Sequence, residues 1–249
     1  MFQGKTVIVT GSGAGIGKEA ALQFARQGAN VVINSISRSG ASVCGEFDAE
    51  NLRAIFVQAD VSTEEGAAKV VSAAADAFGG IDVLVNNAGK VPSGGVESLS
   101  AEEWDQGMAV NVKSVFLMSK LCLPYLRRTK GCIIHVASAV ALKGVAGRAL
   151  YSASKGAILS LSRSMAREYV QDGVRVNCVS PGSVVTPSFQ DRVNSAPDAE
   201  KAMEEFIARQ PIGRLGTPQE VASAIVYLAS PQAGYITGAN LVIDGGMTM

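Results

Sequence analysis

Close to the N-terminus an apolar run, Lys5 to Thr10, ends directly in Gly11-Ser-Gly-Ala-Gly15-Ile-Gly17. A helical pattern follows to about Gln27, with Ala20, Ala21, Phe24 and Ala25 on one face. Gly28 closes that helix as a C-cap, and a second apolar run occupies Asn30 to Asn34. A strand, a glycine turn, a helix and a second strand in this order make a unit of the right length for dinucleotide binding. The glycine spacing is Gly-x-x-x-Gly-x-Gly. Gly11 permits the tight turn, Gly15 lets backbone approach a pyrophosphate, and Gly17 lets the helix pack on the strand; the helix N-terminus then faces the phosphates. Glycine-rich turns are common, so the argument rests on the placement of this one between a strand and a helix.

The alternation continues to the C-terminus. Strands are expected over Ala54–Ala59, Ile81–Val85, Gly131–Ala137, Val174–Val179 and Asn240–Ile243. Helices are expected over Thr63–Phe78, from Glu102 to about Arg128, from about Leu150 to Asp172, and over Thr217–Ala229. Near-continuous apolar strands alternating with helices imply an α/β fold whose parallel sheet is covered by helices on both faces. The 249 residues are enough for one well-buried domain, and no linker, repeat or low-complexity stretch divides residues 1–249. The least regular region, about 183–210, follows the carboxyl edge of a strand, where open α/β sheets bind ligands, and reads as a substrate lid.

Composition narrows the class of function. Acidic and basic residues balance at 22 each, so no bulk field favours nucleic acid or an anionic membrane. No apolar run is long enough to span a bilayer, and the first residues enter a strand too soon for a signal peptide. The cysteines, Cys44, Cys122, Cys132 and Cys178, form no Cys-x-x-Cys pair, and a reducing cytoplasm fits them best. The only histidine, His135, lies in a strand with no metal cluster around it and reads as a core or strand-face residue. Trp104 and Met108, at helical spacing, read as core.

The chemistry concentrates in Ser138 to Lys155. Ser138 closes the apolar run Ile133 to Ala137, and Tyr151 and Lys155 stand at i and i+4, on one face of a helix. An ammonium beside a phenol favours phenolate, which predicts a lowered Tyr151 pKa and a proton donor and acceptor usable near neutral pH. Ser138 could hydrogen-bond the same substrate oxygen. The bland alternative is a surface Tyr-Lys pair; the upstream serine and the glycine turn weigh against it.

Over essentially its full length the chain resembles the short-chain dehydrogenase/reductase family. The resemblance rests on Thr10-Gly11-x-x-x-Gly15-Ile16-Gly17, Asp60-Val61, Asn86-Asn87-Ala88-Gly89, Asn111, Ser138, Tyr151-x-x-x-Lys155 and Pro181-Gly182-x-Val184-x-Thr186. It implies a single-domain, Rossmann-type, doubly wound fold with a seven-stranded parallel sheet, nicotinamide-dependent oxidoreductase activity on a carbonyl or secondary alcohol, and a homotetramer. It implies Tyr151 as general acid in reduction and base in oxidation, Lys155 as its partner and a ribose ligand, Ser138 as holder of the substrate oxygen, and Asn111 as support for a water leading from Lys155. A helix-interior amide satisfying a local backbone group is the alternative for Asn111. The turn Gly11, Ser12, Gly15, Ile16 and Gly17 is implied to hold the dinucleotide, together with Asn87, Ala88, Gly89, Pro181, Gly182 and Val184; a turn with no ligand is the alternative for Asn86 and Asn87. Asp60 and Val61 are implied at the adenine, with an N-terminal helix charge as the alternative role of Asp60. Thr186 is implied at the carboxamide, or else is a loop residue before Pro187.

The C-terminal part is similar to 3-oxoacyl-carrier-protein reductases, through Pro211 to Gly216, Glu220, Tyr235 to Gly238 and Asp244 to Met247. The chain departs from them at Ala14, where arginine is common, and at Asp172, where a basic residue is frequent. The latter departure argues against a carrier-bound substrate; Arg127, Arg128 and Lys130 either supply positive charge or form a solvated helix end. A sugar, polyol or steroid-type alcohol dehydrogenase is the second enzymatic reading, and a non-catalytic dinucleotide sensor the reading from another class. NADP is expected over NAD, because Ser35 stands where NAD-preferring members of the family carry aspartate. Ser35, Ser37, Arg38 and Lys18 could meet a 2′-phosphate; Ala14 and the offset of Arg38 argue the other way. Ala153, Ala157, Leu159 and Leu161 make the Tyr151 helix apolar on more than one side, which predicts a buried second face and the tetramer. Arg148, three residues before Tyr151, could pair with a substrate carboxylate or phosphate, or serve a subunit contact or solvent.

Overall fold

The computed structural model describes residues 1–249. Its strands are β1 (Thr6–Val9), β2 (Asn30–Ser35), β3 (Ala54–Gln58), β4 (Val83–Asn86), β5 (Cys132–Val136), β6 (Arg175–Pro181) and β7 (Asn240–Ile243). All pair in parallel in the order β3-β2-β1-β4-β5-β6-β7. The helices are α1 (Gly15–Arg26), α2 (Ser39–Ala49), α3 (Glu64–Phe78), α4 (Ala101–Met108), α5 (Ser114–Thr129), α6 (Ala149–Tyr169), α7 (Pro187–Asn194), α8 (Ala199–Ala208) and α9 (Pro218–Ala229).

The apolar runs are continuous because both faces of the sheet are covered. Val7, Val9, Val31, Ile33, Val83 and Val85 pack into a core shared with α1, α2 and α9. The residues between them, Ile8, Val32 and Leu84, pack into a second core with α3, α5 and α6. The strand order reverses between β1 and β4. Successive crossovers diverge there and leave a crevice at the carboxyl ends of the strands.

Three regions differ from the expectation; the first is α2, which is not among the anticipated helices, and Trp104 of α4, read as core, is exposed instead. The helix anticipated from Glu102 to Arg128 is α4 and α5 joined by a π-helical turn, Ala109–Lys113, which carries Asn111. The region anticipated as irregular, 183–210, contains α7 and α8. Thr186 caps α7 by accepting from Phe189 N at 3.2 Å, with Pro187 in the first turn, and Asp198 caps α8 by accepting from Lys201 N at 2.9 Å. These helices share a small core of Phe189, Val193 and Leu215, with Phe189 and Phe206 edge-to-face at 4.9 Å. They are short and bury few apolar residues, so each offers only about two or three turns in which to read a period, while their caps are strong. No helix is long and apolar enough to cross a membrane.

Candidate active site

The floor of the crevice is a set of hydrogen bonds between the ends of β1 and β4. Thr10 Oγ1 accepts from the backbone N–H groups of Asn87 (3.0 Å) and Ala88 (3.1 Å). Asn87 Nδ2 donates to the Thr10 and Gly11 carbonyls, both at 3.0 Å. Gly11 has φ 63°, and a Cβ there would stand 2.8 Å from Ala88 Cα. A Cβ on Gly17 would stand 2.4 Å from Asn87 Nδ2 and 2.5 Å from the Gly11 carbonyl oxygen. The first turn of α1 therefore lies directly on the strand ends, as the spacing predicts.

Above this floor is a cavity of about 350 Å³. Gly11, Gly15 and Ile16 line one side, Asn87, Ala88 and Gly89 the base, and Pro181, Gly182, Val184 and Thr186 the far side; Ser138, Tyr151 and Lys155 meet within it. Ser138 follows β5 in extended conformation and caps the short 3₁₀ turn Ala139–Ala141. Its Oγ accepts from Val140 N at 3.4 Å and donates to the Pro181 carbonyl at 3.5 Å, which ties β5 to β6. Its hydroxyl also acts on the Tyr151 phenol, lowering the tyrosine pKa against the effect of burial. Tyr151 occupies the first turn of α6, and Lys155 follows one turn later with its Nζ 5.7 Å from the tyrosine ring centre.

The electrostatics differ from the local expectation. Lys155 is 4% exposed and donates to the Val136 carbonyl at 2.7 Å. Burial pulls its pKa down to about 8, against a small opposing effect of Cys178. The Tyr151 pKa is raised rather than lowered: burial dominates, and the Ser138 hydroxyl, Arg192 and Arg148 oppose it. A carbonyl at the end of β5 holds the ammonium, so the side-by-side pairing that i, i+4 spacing suggests does not by itself activate the phenol.

Asn111 is fully buried. Its Oδ1 accepts from Lys90 N at 2.8 Å, and its Nδ2 donates to the Lys90 carbonyl at 3.0 Å and to Ser154 Oγ at 3.1 Å. Ser154 Oγ in turn donates to the Tyr151 carbonyl at 2.8 Å. The amide thus bonds no local backbone group. It fastens the segment after β4 to the helix that carries Tyr151 and Lys155, and the π turn is what brings it there.

Comparison with known proteins places this geometry. A family model described as enoyl-(acyl carrier protein) reductase matches residues 11–248. The chain is 42% identical over 249 residues to an uncharacterized oxidoreductase of Thermotoga maritima, covering 99% of this chain and 98% of the relative. The chain belongs to the short-chain dehydrogenase/reductase family. It is also 39% identical to the 3-oxoacyl-[acyl-carrier-protein] reductase of Vibrio cholerae, covering 100% of this chain and 99% of that protein. To the 2-keto-3-deoxy-L-fuconate dehydrogenase of Xanthomonas campestris it is 38% identical, covering 98% of this chain and 80% of the relative. As a member of the family the chain is an oxidoreductase of the alcohol–carbonyl class, for which NAD(P) dependence is typical.

Several residues singled out in the sequence make further contacts within the fold. Ser12 is fully buried; its Oγ donates to the Val9 carbonyl at 2.7 Å and accepts from Asn34 N at 3.0 Å, and its N–H donates to the Asn34 carbonyl. Both its polar groups join β1 to β2, so Ser12 does not face the cavity. Asp60 Oδ1 accepts from Ser62 N (2.9 Å) and Ser62 Oγ (2.7 Å) ahead of α3, and Val61 is buried in the core beside it. Thr186 lines the cavity and also caps α7, so it is not a plain loop residue. Lys18 pairs with Glu46, and Arg127 pairs with Asp172 at 2.7 Å, so neither is a free cation. Ser35 ends β2 and Arg38 precedes α2, both outside the main cavity.

Sequence reasoning passed over three residues. Ser39 completes a triangle of hydroxyls with Ser35 and Ser37, at 3.0–3.3 Å. A Cβ on Gly13 would strike Ser39 Oγ, so the triangle abuts the glycine turn. The repeated serine, Ser35-x-Ser37-x-Ser39, was the signal available. Arg192 and Arg209 line the cavity from α7 and the end of α8, and no spacing relates them to Tyr151.

Proposed function

We propose that this chain transfers hydride between NADP and a small carbonyl or secondary alcohol, with Tyr151 giving the proton in reduction and taking it in oxidation. The observation that carries the reading is the meeting of Ser138, Tyr151 and Lys155 in one cavity beside a glycine turn whose Cβ positions are already filled. The turn around Gly11 and Gly15, the Asn87–Gly89 segment and Lys155 would hold the dinucleotide, which supplies the hydride chemistry when bound. Ser138 orients the substrate oxygen toward Tyr151 Oη. Asn111 keeps α6 in place through Ser154. Retention of both Tyr151 and Lys155 argues against a sensor without catalysis.

NADP is favoured by the Ser35–Ser37–Ser39 hydroxyls and by Arg38, an exposed arginine with no carboxylate partner. The relatives support a 3-oxoacyl-type substrate first and a sugar-type one second. A homotetramer is supported by apolar surface on Phe116 of α5 and on Leu241 and Val242 of β7, the sheet's last strand; light scattering giving a monomer at micromolar concentration would remove it. The four unpaired thiols, three of them buried, support a reducing cytoplasm. The primary test is the 340 nm absorbance change with a panel of ketones, using NADPH and NADH in parallel. Turnover favouring NADPH is expected. No turnover with any ketone would end the hydride-transfer reading, and better use of NADH would end the NADP assignment.

A further inference from the structure

Arg148, Arg192 and Arg209 converge on the cavity wall that also holds Tyr151. They come from three separate places: the N-cap of α6, the last turn of α7 and the C-cap of α8. None is paired with a carboxylate. Arg148 Nη1 donates to Ser93 Oγ at 2.8 Å and to the Gly147 carbonyl at 2.9 Å. Arg192 lies 5.7 Å over the Phe189 ring with its Nε buried and without a partner, and Arg209 lies 4.8 Å over the Phe206 ring. No aspartate or glutamate lines this cavity, although the chain carries as many acidic as basic residues.

A guanidinium cannot shed its proton to relieve a neighbour. Burial and the adjacent guanidinium groups both weaken proton binding at Arg148 and Arg192, while the Tyr151 phenol partly compensates at each. Helix dipoles account for the choice of arginine at the ends of α7 and α8, but not for their convergence. At Arg148 the dipole is unfavourable, because a cation there faces the positive end of α6. Three like charges turned toward one wall make that wall attractive to an anion.

We infer that Arg148, Arg192 and Arg209 bind a carboxylate of the substrate, so that the preferred substrate is a small oxo or hydroxy acid whose carboxylate lies a few bonds from the reacting carbon. The inference rests on the hydride-transfer reading for the other end of the same molecule. An arginine braced over a phenyl ring keeps its N–H fork for a planar carboxylate, which it can meet with two bonds at once. The short separation follows from Tyr151 and the three arginines lining one cavity of about 350 Å³. The residues come largely from α7 and α8, so these helices recognise the acid as well as cover the cavity.

The test compares 3-oxopentanoate and 4-oxopentanoate, each with its methyl ester, and hydroxyacetone phosphate, in wild type, Arg192→Met and Arg209→Met. Neither varied side chain makes a hydrogen bond that the fold would lose. Wild type should use at least one acid about ten- to a hundredfold better than its ester in kcat/KM, as charge-assisted bonds permit, chiefly through KM. In both variants that ratio should fall toward one, while the dinucleotide Kd, measured by fluorescence, stays at the wild-type value. Equal use of acid and ester by wild type, an unmoved ratio in both variants, or preference for hydroxyacetone phosphate over both acids would overturn the carboxylate site. Calorimetry on the NADP-loaded protein separates this inference from the reading beneath it. Binding of an acid but not its ester, without turnover, would leave the site standing and remove hydride transfer. Turnover of ester and acid alike would do the reverse.

Discussion

The two ends of the crevice are built in opposite ways. At the ends of β4, β5 and β6 the working residues are sunk into the fold: Asn111 is fully buried, Lys155 is 4% exposed, and Ser138 is 8% exposed. Several of their polar atoms are held by backbone groups from other elements. At the end of β2 three hydroxyls bond mainly to one another, and Arg38 stands in solvent without an ion pair. Proton transfer demands atoms fixed to a fraction of an ångström, which tight packing can impose. Recognition of a charged group at a rim needs less. The buried end should therefore tolerate almost no substitution, whereas the open end should tune preference in small steps.

The largest effect is expected at Tyr151. Tyr151→Phe keeps the ring but removes the proton, and kcat should fall about 10²–10⁴-fold with dinucleotide affinity retained. A variant whose chemistry-limited turnover stays near wild type would break the contrast at its centre. Gly17→Ala comes next. Its Cβ meets the backbone oxygen of Gly11 at 2.5 Å, and such overpacking costs about 1–3 kcal/mol. For a domain of this size that lowers Tm by about 2–4 °C per kcal/mol, which calorimetry can read; an unchanged Tm would mean that the floor of the crevice yields easily.

His135 offers a pH test of the buried end. Asn86 Nδ2 donates to its Nδ1 at 3.1 Å, and burial, aided by Lys155, lowers its pKa from 6.5 to about 3. A depressed pKa contributes stability above the unfolded value, and that stability is lost as pH falls toward the folded one. Between pH 6.5 and 5, before most carboxylates titrate, wild type should lose up to about 1.4 kcal/mol per pH unit. Urea titrations of His135→Asn should show that slope removed; equal slopes in the two proteins would mean that the imidazole takes up its proton within the fold. The smallest effects belong to the open end. Arg38→Ala should shift the NADPH-to-NADH ratio of kcat/KM by about tenfold, and Ser37→Ala by less, because the hydroxyl brings no charge of its own to the phosphate. A Ser37→Ala shift as large as that of Arg38→Ala would show that the hydroxyls, rather than the guanidinium, carry the preference.

What was legible in the chain is what short-range geometry decides. A glycine turn between strand and helix, and a tyrosine and lysine one helical turn apart, are set by backbone sterics and by 3.6 residues per turn, so they can be read without a fold. The sheet was legible too, because strands covered on both faces must be apolar throughout. Only the tertiary structure decided the environments. It turned Lys155 onto the Val136 carbonyl, raised rather than lowered the Tyr151 pKa, and put Asn111 on Lys90 and Ser154. It also brought Arg148, Arg192 and Arg209 to one wall from separate elements. Burial and charge proximity depend on distance through space, and residues far apart along the chain acquire that distance only when their helices pack.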